Sequence, residues 1–110
     1  MGRALHMMLD GMTLTPPSVC CVRGYLESVA KQTSLHIIAG PFFFILESYQ
    51  EAWVIVAESH IAVKWWPDGL VLVDLFSCKP FNAETLETFT VETFQLEHCQ
   101  VRALERLGLG

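Results

Sequence analysis

The run Trp53-Val54-Ile55-Val56-Ala57-Glu58-Ser59-His60-Ile61-Ala62-Val63-Lys64-Trp65-Trp66-Pro67-Asp68-Gly69-Leu70-Val71-Leu72-Val73-Asp74-Leu75-Phe76 decides the fold class. It holds three apolar, β-branched and aromatic stretches, Trp53 to Glu58, His60 to Trp66 and Leu70 to Phe76. Each is too short for a helix of ordinary length and rich in the residues that suit a pleated, half-buried surface. Pro67-Asp68-Gly69 supplies turn chemistry between the second and third stretches. Consecutive strands joined so closely pair antiparallel, because a parallel crossover needs a dozen or more residues.

Working outward, the run from Leu35 to Leu46 is also strand-like, with a bend or bulge expected at Gly40-Pro41. Before it, Ser18 is a helix N-cap, and Val19, Val22, Leu26 and Val29 recur at helical spacing up to about Gln32. Ala4 to Leu9 reads as a first strand, closed by Asp10-Gly11 and Pro16-Pro17. After the central run, Asn82 caps a second helix from Ala83 to about Thr93, with Leu86, Phe89 and Thr93 on one face. A last strand spans Leu96 to Val101. This order predicts an α+β two-layer sandwich, a mostly antiparallel sheet with two helices on one face.

The chain of 110 residues fits one domain, residues 1–110, with no repeat and no Gly/Ser linker. Hydrophobic residues make up 52% and charged ones 17%, more apolar matter than a lone domain of this size needs to bury. The uncovered sheet face is therefore expected to pair with a second copy, giving a homodimer. A formal charge of -5 with scattered Lys and Arg excludes nucleic acid as a partner. The apolar stretches are far shorter than a membrane-spanning helix, so no membrane partner is expected. His6 and Asp10 interrupt the N-terminal apolar segment, which lacks a secretory pattern, so a cytoplasmic location is expected. Cys20, Cys21, Cys78 and Cys99 have no CxxC spacing, and His6, His36 and His98 have no ligand spacing, so no metal site and no disulfide framework is expected.

The segment Glu58-Ser59-His60, the turn Trp66-Pro67-Asp68 and the strand Val73-Asp74-Leu75-Phe76-Ser77-Cys78, taken in that order, resemble the signature of the prokaryotic S-adenosylmethionine decarboxylases. His6-Met7-Met8-Leu9-Asp10 is similar to the family's opening strand. The resemblance implies a proenzyme that cuts itself between Glu58 and Ser59, giving a β chain of residues 1–58 and an α chain of residues 59–110. Ser59 would become a pyruvoyl cofactor, a ketone that condenses with the substrate amine and accepts the electrons released with carbon dioxide. It implies Cys78 as the proton donor to the resulting carbanion. It also implies Trp66 stacking on the adenine or sulfonium of S-adenosylmethionine, with Asp68 accepting from the ribose.

Two positions depart from the family pattern. Lys64 stands where the histidine that serves the elimination step of processing is usual, which makes Lys64 the candidate processing base. Glu51 stands where a serine that assists processing is usual. Three readings follow: a decarboxylase of S-adenosylmethionine supplying spermidine biosynthesis, a pyruvoyl-dependent ornithine or arginine decarboxylase, and an uncleaved non-catalytic partner subunit. Read without the signature, Ser59 is a turn residue, Cys78 a small buried hydrophobe, Asp74 a structural carboxylate, and the Phe42 to Phe44 run ordinary core.

Overall fold

The structure is a computed structural model and describes residues 3–57 and 59–107. Eight elements follow in the order β1 (Arg3–Met12), α1 (Val19–Gln32), β2 (Ile37–Ile45), β3 (Gln50–Val56), β4 (Ser59–Trp65), β5 (Leu70–Ser77), α2 (Ala83–Phe94) and β6 (Glu97–Leu107). One six-stranded sheet has the order β2-β3-β4-β5-β1-β6, and every neighbouring pair is antiparallel. The expected α+β two-layer sandwich is what forms. Strands β2 to β5 are a meander, while β1 is inserted between β5 and β6.

Period-two alternation sorts the two faces. Val71, Val73, Leu75 and Ser77 of β5 are buried, whereas Leu70, Leu72, Asp74 and Phe76 are partly exposed on the opposite face. On the covered face Met7, Leu9, Val54, Ile61 and Val63 pack against Val22, Leu26 and Val29 of α1 and Leu86 and Phe94 of α2. Each such side chain removed from water contributes about 1.5–3 kcal/mol. Tyr25 of α1 and Thr90 of α2 join the helices through a 2.7 Å hydrogen bond. Thr90 Oγ1 spends its proton on Leu86 O at 2.6 Å, so the Tyr25 hydroxyl is the donor. Burial pushes the Tyr25 phenol up to about 12, against a smaller lowering by Thr90.

The helix starts match expectation: Ser18 Oγ accepts from Cys21 N and Asn82 Oδ1 from Thr85 N. The buried stripe of α2 differs from the expected Leu86, Phe89 and Thr93. It is Leu86, Thr90 and Phe94, with Phe89 partly buried, because the helix contacts the sheet along its i, i+4 row. Strand β6 runs six residues past the expected Val101, held by β1 as far as the Arg3–Leu107 pair. The bend at Gly40-Pro41 appears as register shifts in the β2–β3 ladder. Gly40, at φ +99°, has no room for a Cβ, which would lie 2.8 Å from Trp53 O.

The turn after β4 also forms as read. Gly69 adopts φ +103°, and Thr13 N donates to Gly69 O at 2.8 Å, tying the β4–β5 hairpin to the end of β1. The face away from the helices carries Met12, Phe42, Phe44, Ile55 and Leu104, each at least 36% exposed.

Candidate active site

Ser59 opens β4. Val56 and Ser59 are the last Cα partners of the β3–β4 ladder, so residues 57 and 58 alone connect the two strands. Glu58, the other side of the expected cut, lies outside the described residues. Beside this hairpin end, β5 finishes at Ser77 and leads into Cys78, which is half-buried. The Cys78 backbone N–H donates to Ser59 Oγ at 3.2 Å. Two residues 19 apart in sequence thus meet because β4 and β5 are antiparallel neighbours, with His60 opposite Phe76.

The backbone around Cys78 is fixed by Ser77, which is fully buried. Ser77 Oγ accepts from Lys79 N at 3.0 Å and donates to Lys79 O at 2.8 Å, closing a turn across Cys78. Lys79 Nζ reaches Ser34 O at 3.4 Å, fastening the same turn to the segment after α1.

The other expected site residues are elsewhere in the chain. Lys64 is five residues along β4 from Ser59, roughly 17 Å at strand rise, and on the opposite face. Its cross-strand partner is Glu51, which accepts from Trp53 Nε1 at 2.9 Å. Trp66 is seven residues from Ser59, roughly 23 Å away. Its ring stacks on Tyr49, with centroids 5.0 Å apart and planes at 20°, beside a crevice of about 330 Å³ lined by Pro17, Glu47 and Ser48. Asp68 Oδ1 accepts from Leu70 N at 3.1 Å and so builds the turn. One chain gathers Ser59 and Cys78, but not Lys64, Trp66 or Asp68.

On the uncovered face, Asp74 of β5 is met by two histidines from the neighbouring strands. His6 Nε2 lies 2.7 Å and His60 Nε2 3.3 Å from the same Asp74 Oδ1, joining β1, β4 and β5. An ionised carboxylate only accepts, so each imidazole presents an Nε2–H to it. Both rings also flank Phe76, His6 edge-on and His60 stacked, each at 5.9 Å. Sequence reading passed over this cluster. Its signal was the even spacing of 60, 74 and 76 together with the pairing of His6 to Phe76, visible only once β1 is known to lie beside β5. Next to it a hollow of about 360 Å³ is lined by Asp10, Trp53, Lys64, Leu72 and Arg102.

The four cysteines are free thiols. Burial pushes the Cys21 thiol up, and burial together with Glu87 does the same for Cys99. Among the described residues no group of three or more His, Cys, Asp or Glu side chains is arranged to hold a metal ion, and no helix is long and apolar enough to cross a membrane.

The sheet with two helices on one side, and the serine–cysteine meeting at its hairpin end, define the class to which known proteins can be compared. The fold is shared with the crystal structure of the adenosylmethionine decarboxylase from Aquifex aeolicus, at a TM-score of 0.81 and 21% identity, over 99% of this chain and 94% of that one. Residues 6–107 match the family described as S-adenosylmethionine decarboxylase, and the chain belongs to that family. A relative from Thermococcus kodakarensis, an S-adenosylmethionine decarboxylase proenzyme, is 30% identical over 87 residues. That match covers 77% of this chain and 61% of the relative. A proenzyme of the same name from Thermodesulfovibrio yellowstonii is 28% identical over 91 residues, 81% of this chain and 65% of the relative. The chain thus spans less than two thirds of the length of these relatives.

Proposed function

We propose that this chain is a self-processing, pyruvoyl-dependent decarboxylase of S-adenosylmethionine, supplying the decarboxylated product for spermidine biosynthesis. The observation that carries the reading is the Cys78 N–H on Ser59 Oγ at 3.2 Å, beside the two-residue connection in which the cut would fall. In processing, Ser59 Oγ adds to the Glu58 carbonyl carbon, the C–N bond breaks with a proton passing to nitrogen, and an ester results. A base then removes the Cα proton of residue 59. The Cβ–Oγ bond breaks, Glu58 leaves as a carboxylate, and the remaining unsaturated amine takes up water and releases ammonia.

Position 59 suits the resulting carbonyl-bearing group, since it begins a strand, is half-buried and already faces a backbone N–H donor. The pyruvoyl ketone supplies covalent capture of the substrate amine and takes up the electron pair left by carbon dioxide. Cys78 then delivers a proton to the substrate carbon. Four free thiols fit a reducing cytoplasmic compartment.

Completing the site requires two copies. Lys64, Trp66 and Asp68 lie too far along β4 to reach Ser59 of their own chain, whereas a two-fold axis crossing the strands would lay the Trp66 end of one copy over the Ser59 end of the other. The Met12, Phe42, Phe44, Ile55 and Leu104 surface gives the homodimer its apolar contact. In that arrangement Lys64 is the processing base, acting on the Cα proton at the open end of the partner's β4, while Trp66 stacks on adenine and Asp68 meets the ribose. A second reading, an uncleaved partner subunit, is favoured by Lys64 and Glu51 facing each other where the family pattern has histidine and serine.

Intact mass of the purified protein separates these readings. Two fragments split between residues 58 and 59, with Ser59→Ala remaining whole, support the enzyme, and a wild-type chain that stays whole leaves the partner subunit. Release of labelled carboxyl carbon from S-adenosylmethionine, set against ornithine and arginine, decides the substrate. Light scattering showing a monomer at micromolar concentration would remove the two-copy site.

A further inference from the structure

We propose that Ser77 is a positioning residue for self-processing: its buried hydroxyl fixes the turn through Cys78 so that the Cys78 N–H stays on Ser59 Oγ and stabilises that oxygen as it departs. The inference rests on the processing reading above and adds a residue and a step to it.

The geometry has three parts. Ser77 is fully buried, and its single hydroxyl closes two hydrogen bonds to Lys79, one to the N–H and one to the carbonyl. Both close the turn over Cys78, whose N–H lies between the last ladder residue, Ser77, and the Lys79 end of that turn. That N–H has Ser59 Oγ as its acceptor at 3.2 Å. A buried serine at a strand end could merely satisfy its own turn. Here the turn it satisfies aims a donor at the atom on which processing acts.

Charge accounting says which step gains. In the attack on Glu58, Oγ passes from hydroxyl to ester oxygen, and one lone pair remains available to an N–H donor throughout. In the elimination, the Cα proton goes to the base, its electron pair forms the Cα–Cβ double bond, and the Cβ–Oγ pair stays with Oγ, now part of the Glu58 carboxylate. Negative charge therefore accumulates on the atom that the Cys78 N–H faces. A fixed donor at that place stabilises the departing group more than the neutral ester, which is the condition for accelerating the step.

Replacing Ser77 by alanine leaves both Lys79 groups without their partner and releases the Cys78 peptide. The test follows cleavage of the full chain with time by intact mass, treating parallel samples with hydroxylamine, which cuts the ester but not the amide. Ser77→Ala is expected to slow cleavage by roughly a hundredfold, the scale of a small displacement in a reacting constellation, and to accumulate a hydroxylamine-sensitive full-length chain. Ser77→Thr, which keeps the hydroxyl, should cleave within about tenfold of wild type. Thr90→Val removes a comparable buried hydroxyl distant in sequence and serves as the stability control; it should lower the melting temperature without accumulating ester. Ser77→Ala cleaving at the wild-type rate, or slowing without ester and in step with its melting temperature, overturns the proposal while leaving the decarboxylase reading intact. A wild-type chain that never cleaves removes both.

Discussion

The two-copy site can be tested through Lys64, because the distance that excludes it from its own serine makes a specific genetic result unavoidable. Ser59 and Lys64 are separated by five residues of strand, roughly 17 Å, and project to opposite faces of the sheet. A four-carbon stem does not cover that span. If Lys64 takes the Cα proton in processing, it takes it from the partner's residue 59. Lys64→Ala alone should then slow cleavage by about a hundredfold or more, the usual contribution of a general base. Ser59→Ala alone cannot be cut, yet it still carries Lys64. Co-expressed at equal levels with random pairing, about half of the Lys64→Ala chains in a two-fold dimer sit opposite a Ser59→Ala chain and regain a base. Intact mass distinguishes the chains, and about half of the Lys64→Ala population should appear as fragments. Lys64→Ala that cleaves at the wild-type rate by itself refutes the base role. Slow cleavage that the Ser59→Ala chain does not rescue refutes the delivery between copies.

Three further outcomes follow from features away from that interface. Cys78→Ala in processed enzyme should reduce turnover by roughly a hundredfold or more while circular dichroism is unchanged, and equal turnover would return Cys78 to a packing role. The Tyr25 phenol, raised by burial from about 10 to about 12, stabilises the fold fully below pH 10 and loses that contribution as pH climbs towards 12. At 1.36 kcal/mol per unit the loss approaches about 3 kcal/mol, so melting temperature should fall more steeply over this window for wild type than for Tyr25→Phe. Gly69→Ala drives a Cβ into the Thr13 carbonyl oxygen at φ +103°, which should cost at least about 2 kcal/mol and lower the melting temperature by about 10 °C, and an unchanged melting curve would show that the turn relaxes freely.

What was legible in the sequence was local. Ser18 and Asn82 announce helix starts because a short side-chain oxygen caps the first turn, and Pro67-Asp68-Gly69 announces a hairpin because only glycine accepts the positive φ at its end. Leu70 to Phe76 announces a strand, but not which residues face the helices, because apolar side chains stand on both of its faces. Pairings between distant segments were not legible. The insertion of β1 between β5 and β6 leaves no local mark, so the length of β6 and the meeting of His6, His60 and Asp74 were both missed. The positions of Lys64 and Trp66 relative to Ser59 were within reach of sequence reasoning. Five residues of strand place Lys64, and seven place Trp66, too far along β4 to reach the serine of their own chain.

The inserted strand has a further consequence for a chain cut between residues 58 and 59. The first fragment would hold β1, β2 and β3, the second β4, β5 and β6. Three of the five ladders, β3–β4, β5–β1 and β1–β6, would then join one fragment to the other. The pieces are threaded like interlaced fingers, and neither can withdraw without dismantling the sheet. Before the cut, closing those ladders is a contest against the entropy of one chain; after it, two molecules must find each other, at a rate set by concentration. Such a nick would work as a one-way gate: a molecule that folded and then cut itself would keep its form, while one that unfolded afterwards would have lost the tether that first assembled it.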